Sequence, residues 1–580
     1  MRLFPIISLL LLIQKCESDP NQKMPLQLAP LLAPGLLKEK HPDNLAFRPI
    51  SILVDYSNME KENNISNEQQ SLIKKVLMPR MVELLRSILK VNGPKTIALS
   101  GDECNKEVTI PEAMIKTPVT ADLLIFIKSF DQPQSGFIAV AAPCVLNEHN
   151  RRPSVGIVIF NGAQLKMTFD KVDYYFYSAL HETMHVLVMD PLLYPHYVDG
   201  KKVVQEKGGI MYLSTPRLVK HAQEYFNCPT LEGVPLENEG GIESAGTHFE
   251  KVTLGNELMT AMLTEGATFS AFSLSLLADS GWYEVDQGQA ERLTWGFRRG
   301  CDFAKAACPR GPEVCPTLGE LSCTADHLGF NECQPNIFAP GCNLREYSRN
   351  AMCTDLSNEA AAIRILPEFD QRGADSRCFM AGSGAKKPVC FNVVCESPKT
   401  LAFTVKDKKH VCTAAEAKVA TAAGEVICPD PEVVCRTVVK ACPNGCSGKG
   451  KCLENGKCRC KYAFDGADCS VAKACNDKTL ICENKAPNTS GPAKRALPAT
   501  TNNVQTTKEE TIESMGQLEK LSEKLKNRFS SFFKKSNRLL NTSPVSALKT
   551  AQRKRRSSIG VIPYKVSKLS EKFSVTENMV

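Results

Sequence analysis

The sequence predicts an α+β protein built from several domains, and three observations carry that prediction. Short strands rich in branched residues precede one long apolar helical stretch that ends near His185. Cysteine becomes dense at Cys301 and stays dense to Cys482. Beyond Cys482 the composition turns to Lys, Ser, Thr and Asn with few aromatics, which cannot build a packed core. At 580 residues the chain has room for several domains of ordinary size.

Residues 1–18 read as a signal peptide. Arg2 gives a positive start, Leu3 to Ile13 is an apolar core too short to span a bilayer, and the small residues Cys16 and Ser18 allow cleavage. Residues 19–45 carry Pro and Leu without periodicity and suit a pro-segment or linker. In the next expected domain, residues 46–300, Phe47 to Ser57 alternates as a strand with Ile50, Ile52 and Val54 on one face. Asn67 to Val91 has helical spacing, and Pro79 should kink or split it. Strands are expected at Leu123 to Phe130, Gly136 to Val145 and Ser154 to Phe160. Cys104 and Cys144 are the only cysteines in this half ahead of the next helix and are expected to pair.

Tyr174 to His185 reads as a buried helix, because an exposed one would carry a polar face. It holds His181-Glu182-Thr183-Met184-His185. Residues four apart share a helix face, so His181 and His185 can reach one metal ion with Glu182 beside them. This is the H-E-x-x-H arrangement of zinc peptidases, in which two neutral imidazoles hold the metal and the carboxylate takes a proton from the attacking water. A third ligand must come from elsewhere. The polar stretch that follows, to about residue 235, is long for a bare connection and is expected to be an inserted lobe. Ala267 to Asp279 is a second expected buried helix.

The formal net charge of +8 is concentrated at the far C-terminus. Nucleic acid is not an expected partner, since that needs a basic face on a folded domain. Of 25 cysteines, loss of Cys16 with the signal leaves an even set, and an exported, cysteine-rich chain implies disulfides. No later apolar run has membrane length.

His248 lies in Thr247-His248-Phe249-Glu250-Lys251, followed by Asn256-Glu257-Leu258-Met259-Thr260. With these residues, and with Leu236 to Gly241, Trp295-Gly296 and Gly300-Cys301, the chain from Phe47 to Cys435 resembles the leishmanolysin family of metzincin-type zinc endopeptidases. The resemblance implies a metzincin-like peptidase domain with a mixed sheet and an active-site helix. It implies one zinc ion per chain on His181, His185 and His248, Glu182 as general base, and protein or peptide substrates. Met259 matches the methionine of the turn beneath the metal, a soft floor rather than a ligand.

Three departures stand out. The family's glycine three residues past the second histidine is Val188, and a β-branched residue disfavours positive φ, so either the helix runs on or the turn is strained. No cysteine lies between Cys16 and Cys104 to block zinc in a pro-segment. The chain ends in a polar segment rather than the apolar tail of a glycolipid anchor signal, so soluble secretion is expected.

Residues 301–440 form an expected disulfide-rich C-terminal domain. In residues 441–470 the spacing of Cys442, Cys446, Cys452, Cys458, Cys460 and Cys469 resembles an EGF-like module, which implies pairs Cys442–Cys452, Cys446–Cys458 and Cys460–Cys469. An extracellular or cell-surface partner would dock there. Residues 486–580 are expected to be a basic, mostly disordered tail, with a transient amphipathic helix over Glu509 to Leu540. Arg553-Lys554-Arg555-Arg556 reads equally as a processing site or a solvated charge run, and Asn64, Asn488 and Asn541 begin glycosylation sequons. The function expected is that of a secreted zinc metalloendopeptidase. The alternative is an extracellular adhesion or binding protein over a weakened peptidase domain.

Overall fold

The computed structural model describes residues 35–37 and 46–483, apart from 94, 135, 198–202, 242–243, 347–350, 355–364 and 438–441. The expected signal peptide, the basic tail, and all of the expected pro-segment except 35–37 lie outside the described residues.

The branched runs assemble into a five-stranded mixed sheet. Its strands are β1 (Gly35–Leu37), β2 (Ile52–Asp55), β3 (Leu123–Phe130), β4 (Ala139–Asn147) and β5 (Pro153–Asn161), in the order β1-β4-β5-β3-β2. Only β4 and β5 pair antiparallel; the other neighbours are parallel. Strand β3, parallel to both its neighbours, is buried from Leu123 to Ile127, as a continuous apolar run in a parallel pairing requires.

Helix α1 (Met78–Ile88) continues directly from Asn67–Leu72 through one wide turn at Ile73–Leu77. There the Met78 N–H bonds the Ile73 carbonyl, five residues back. Pro79 therefore sits at the start of α1, where its missing N–H breaks no regular bond, and the helical run neither splits nor ends at it. The helix stops short of the expected Val91. Leu89 turns extended (φ −106°, ψ 131°), and Leu89–Val91 pairs instead with Arg48–Pro49 and Glu284–Val285. The expected strand from Phe47 to Ser57 is correspondingly divided, with the Ile50 N–H donating to the Leu89 carbonyl at 3.0 Å between Arg48–Pro49 and β2.

Helix α2 (Phe169–Leu187) packs on the sheet and is buried nearly all round from Tyr175 to Leu187. Gly156 on β5 sets how closely it lies. A Cβ at Gly156 would stand 2.3 Å from Cγ1 of Val186, so any side chain there would push α2 off the sheet. The long connection after α2 has structure of its own: a hairpin of β6 (Val204–Lys207) and β7 (Ile210–Leu213), then α3 (Pro216–Phe226). β8 (Val234–Pro235) returns to pair with β7. The next helix, α4 (Ala271–Asp279), starts later than the expected Ala267 because the Ser270 hydroxyl accepts the Phe272 N–H and caps it.

The cysteine-dense region contains a second, six-stranded antiparallel sheet. It comprises β9 (Ser376–Gly382), β10 (Lys387–Ser397), β11 (Thr400–Val405), β12 (Lys408–Cys412), β13 (Lys418–Thr421) and β14 (Gly424–Ile427), ordered β12-β11-β10-β9-β14-β13. Phe379, Phe391 and Phe403 pack against one another in its core. Every cysteine from Cys104 to Cys482 is in a disulfide. Cys104 is joined to Cys144, and near the end of the described chain Cys442 to Cys452, Cys446 to Cys458, Cys460 to Cys469 and Cys475 to Cys482. Among the described residues no helix is long and apolar enough to cross a membrane.

Candidate metal centre

Helical spacing puts His181 and His185 on one face of α2, and the chain after β8 brings His248 to them. The three Nε2 atoms lie 3.0 Å (His181 to His185), 3.1 Å (His181 to His248) and 3.2 Å (His185 to His248) apart. All three rings are buried.

Each ring is fixed from behind by the backbone. His181 Nδ1 lies 2.7 Å from the Leu258 carbonyl, His185 Nδ1 2.7 Å from the Met189 carbonyl, and His248 Nδ1 3.1 Å from the Ser244 carbonyl. The Thr247 hydroxyl is also 2.8 Å from His248 Nδ1. A carbonyl oxygen can only accept, so these contacts place the proton on Nδ1 and leave a bare lone pair on Nε2. Burial, then the neighbouring imidazoles, hold His181 down to about 3 and His248 well below its ordinary range, and burial lowers His185 to about 4. Three neutral rings thus direct lone pairs at one point, an arrangement that repels itself unless a cation lies between them.

Glu182, next to His181 on α2, is buried, and burial pushes its carboxyl well above the usual carboxylate range. Met259 is fully buried in a loop tied to both ligand-bearing segments. Its carbonyl accepts the Phe249 N–H at 2.8 Å, beside His248, while the preceding Leu258 carbonyl faces His181.

Val188 changes the expected picture of the exit from α2. The helix ends at Leu187, and Val188 takes φ −156°, ψ −41° while its N–H still bonds the Met184 carbonyl. The chain neither runs on as helix nor enters the left-handed region that calls for glycine. The turn also delivers the Met189 carbonyl that orients His185.

Sequence reasoning passed over the groups that brace this loop. The buried Glu257 carboxylate accepts the Met259 N–H at 2.5 Å and the hydroxyls of Ser270 (2.9 Å) and Ser273 (2.7 Å). Glu237 accepts the backbone N–H groups of Asn238, Glu239 and Lys251 around His248. Gly255 is required at φ +49°, where a Cβ would stand 2.0 Å from the Trp295 ring.

The sequence pattern of one family, described as leishmanolysin, matches residues 55–338, a span that holds the three histidines, Glu182 and Met259. This chain belongs to the leishmanolysin family. It is 33% identical over 176 residues to a leishmanolysin-like peptidase of Drosophila melanogaster, covering 29% of this chain and 23% of that protein. It is 26% identical over 344 residues to the ciliated left-right organizer metallopeptidase of Danio rerio, covering 53% and 54%. To the leishmanolysin of Leishmania major it is 23% identical over 446 residues, covering 66% and 72%. The chain thus spans under a quarter of the fly relative's length and about half of the zebrafish one's. The six-stranded sheet and the cysteine-rich segment after it lie beyond residues 55–338, which the family pattern matches.

Proposed function

We propose that this chain is a secreted, zinc-dependent metalloendopeptidase. The observation that carries the reading is the convergence of three buried, neutral imidazoles whose Nδ1 protons are all engaged by backbone carbonyls. His181, His185 and His248 would hold one zinc ion, a donor set suited to zinc with an open position. Zinc supplies a Lewis-acid centre that polarises a carbonyl and acidifies water. Glu182 takes the proton of the attacking water on its carboxylate and returns it to the amine nitrogen released from the peptide. A cation beside Glu182 opposes the effect of burial and favours the carboxylate form needed for this. Met259 is the buried floor of the site. Disulfides throughout the described chain suit an oxidising, extracellular setting.

An adhesion role for the EGF-like Cys442–Cys469 segment is the competing reading, but the intact histidines and Glu182 favour the enzyme. Casein hydrolysis by the purified chain, with and without a zinc chelator and with Glu182→Ala, tests it. The reading requires activity in the untreated wild type only; equal activity in all three abolishes it.

A further inference from the structure

Glu291 lies far from the histidines in sequence, yet its carboxylate is almost wholly buried, with 1% of the side chain exposed. Four groups converge on it. The Tyr177 hydroxyl donates to Oε1 at 2.5 Å, and Tyr177 stands one helical turn before His181 on the same face of α2. The Phe269 N–H donates to Oε2 at 3.0 Å. The other two are cations of the cysteine module: Arg459 at 2.6 Å from Oε1 and Lys451 at 3.1 Å from Oε2. Lys451 also lies over the Tyr177 ring at 4.4 Å and donates to the Ala267 carbonyl.

Two of the four, Tyr177 and Phe269, lead to His181. One runs along α2 from Tyr177. The other runs from Phe269 to its neighbour Thr268, whose carbonyl accepts the Leu258 N–H at 2.8 Å, and the Leu258 carbonyl holds His181 Nδ1. A second fastening joins the module to the same helix. The Tyr462 N–H bonds the Asp173 carboxylate at 3.0 Å, and the Arg80 guanidinium, 3.1 Å from Asp173, lies between the Phe176 and Tyr462 rings. Backbone bonds from Glu454 to Ala290 and from Asn455 to Gly288, each 2.9 Å, complete the seam.

We propose that Glu291 is a positioning residue for the metal centre and that Lys451 and Arg459 of the cysteine module are its counter-charges, so that the module is a working part of the peptidase. A buried carboxylate stripped of its cations is costly enough to move the groups hydrogen-bonded to it. The groups bonded to Glu291 set the place of His181. This assignment rests on the zinc-peptidase reading for its catalytic consequence, but its structural consequence can be measured without it.

The test uses the full chain with Arg459→Gln, Arg459→Lys and Tyr177→Phe, the last removing one hydroxyl while leaving the module docked. In Arg459→Gln, kcat on labelled casein should fall about tenfold with KM within about twofold, and zinc should pass to a chelator about tenfold faster. Arg459→Lys should recover most of both, and Tyr177→Phe should lie between. Independently of metal and activity, backbone hydrogen exchange in 173–187 and 256–269 should quicken in Arg459→Gln and Tyr177→Phe. If melting temperature falls while kcat, zinc release and exchange in those two segments match the wild type, Glu291 is a structural anchor only and the proposal is overturned. If wild-type chain neither holds zinc nor cuts casein, the peptidase reading falls, and the exchange result alone decides the positioning role. Should Arg459→Gln fail to fold, Tyr177→Phe decides by the same readings.

Discussion

His181 Nδ1 lies 2.7 Å from the carbonyl oxygen of Leu258, the residue immediately before Met259. The methionine loop therefore orients a histidine through its backbone. Glu257 holds that loop in shape by accepting the Met259 N–H and two serine hydroxyls. Glu257→Gln keeps the size but turns one acceptor oxygen into a donor, so the side chain can no longer accept from the Met259 N–H and the two serine hydroxyls together. Zinc affinity of this variant should drop by about tenfold or more, read by competition with a chromogenic chelator. An unchanged affinity means the loop holds its shape by other means.

His248 supplies the third nitrogen from a segment outside α2. His248→Ala should lower zinc from one ion per chain to well under half, measured by atomic absorption on protein dialysed against trace zinc. Retention of full zinc content would show that another group completes the site.

Val188 occupies a position with negative φ, which does not demand glycine. The backbone there is at φ −156°, and the side chain is fully buried. Val188→Gly removes packed methyl groups and adds freedom to the unfolded chain, at a cost of about 2–4 kcal/mol in urea unfolding. Casein hydrolysis per folded molecule should not rise. A gain in activity would mean the exit from α2 limits the wild type.

Acid stability should carry the mark of His221. Burial, then the Arg436 cation, lowers its pKa to about 4, while the unfolded side chain titrates near its ordinary value of about 6.5. Between those values the unfolded chain binds the extra proton, so stability is lost as pH falls from about 6.5 to about 4. The ring packs edge-on against Phe272 at 4.7 Å, a place that phenylalanine can fill. The melting temperature of His221→Phe should therefore decline less steeply than the wild type's over that window. Parallel curves would show that other groups govern the acid limb.

What could be read from the sequence divides along chemical lines. His181, Glu182 and His185 were legible because identity and spacing together define a helix face. The strands β3 and β5 were legible because branched residues bounded by polar ones leave few alternatives. The carbonyls of Leu258, Met189 and Ser244 were not, because every residue has a carbonyl and only the fold decides which one meets a ring. The path at Val188 was hidden for a related reason: identity alone does not say whether the chain there turns left-handed, and here it does not. Glu291 sat in an unremarkable polar stretch, and its cationic partners stand 160 and 168 positions away.

Those separations bear on the order in which the molecule is made. Asp173 on α2 waits for Tyr462, 289 residues later in synthesis, and Glu291 waits for Lys451 and Arg459. The histidine helix leaves the ribosome early but acquires these neighbours only after residue 462 has emerged. Such long-range closure is slow and is reached after local structure has formed. A chain interrupted before residue 451 would carry all three histidines and Glu182, yet leave the Glu291 carboxylate without its cations. The seam around Glu291 and Asp173 thus closes only once residues 451–462 have been made, long after the helix it fastens.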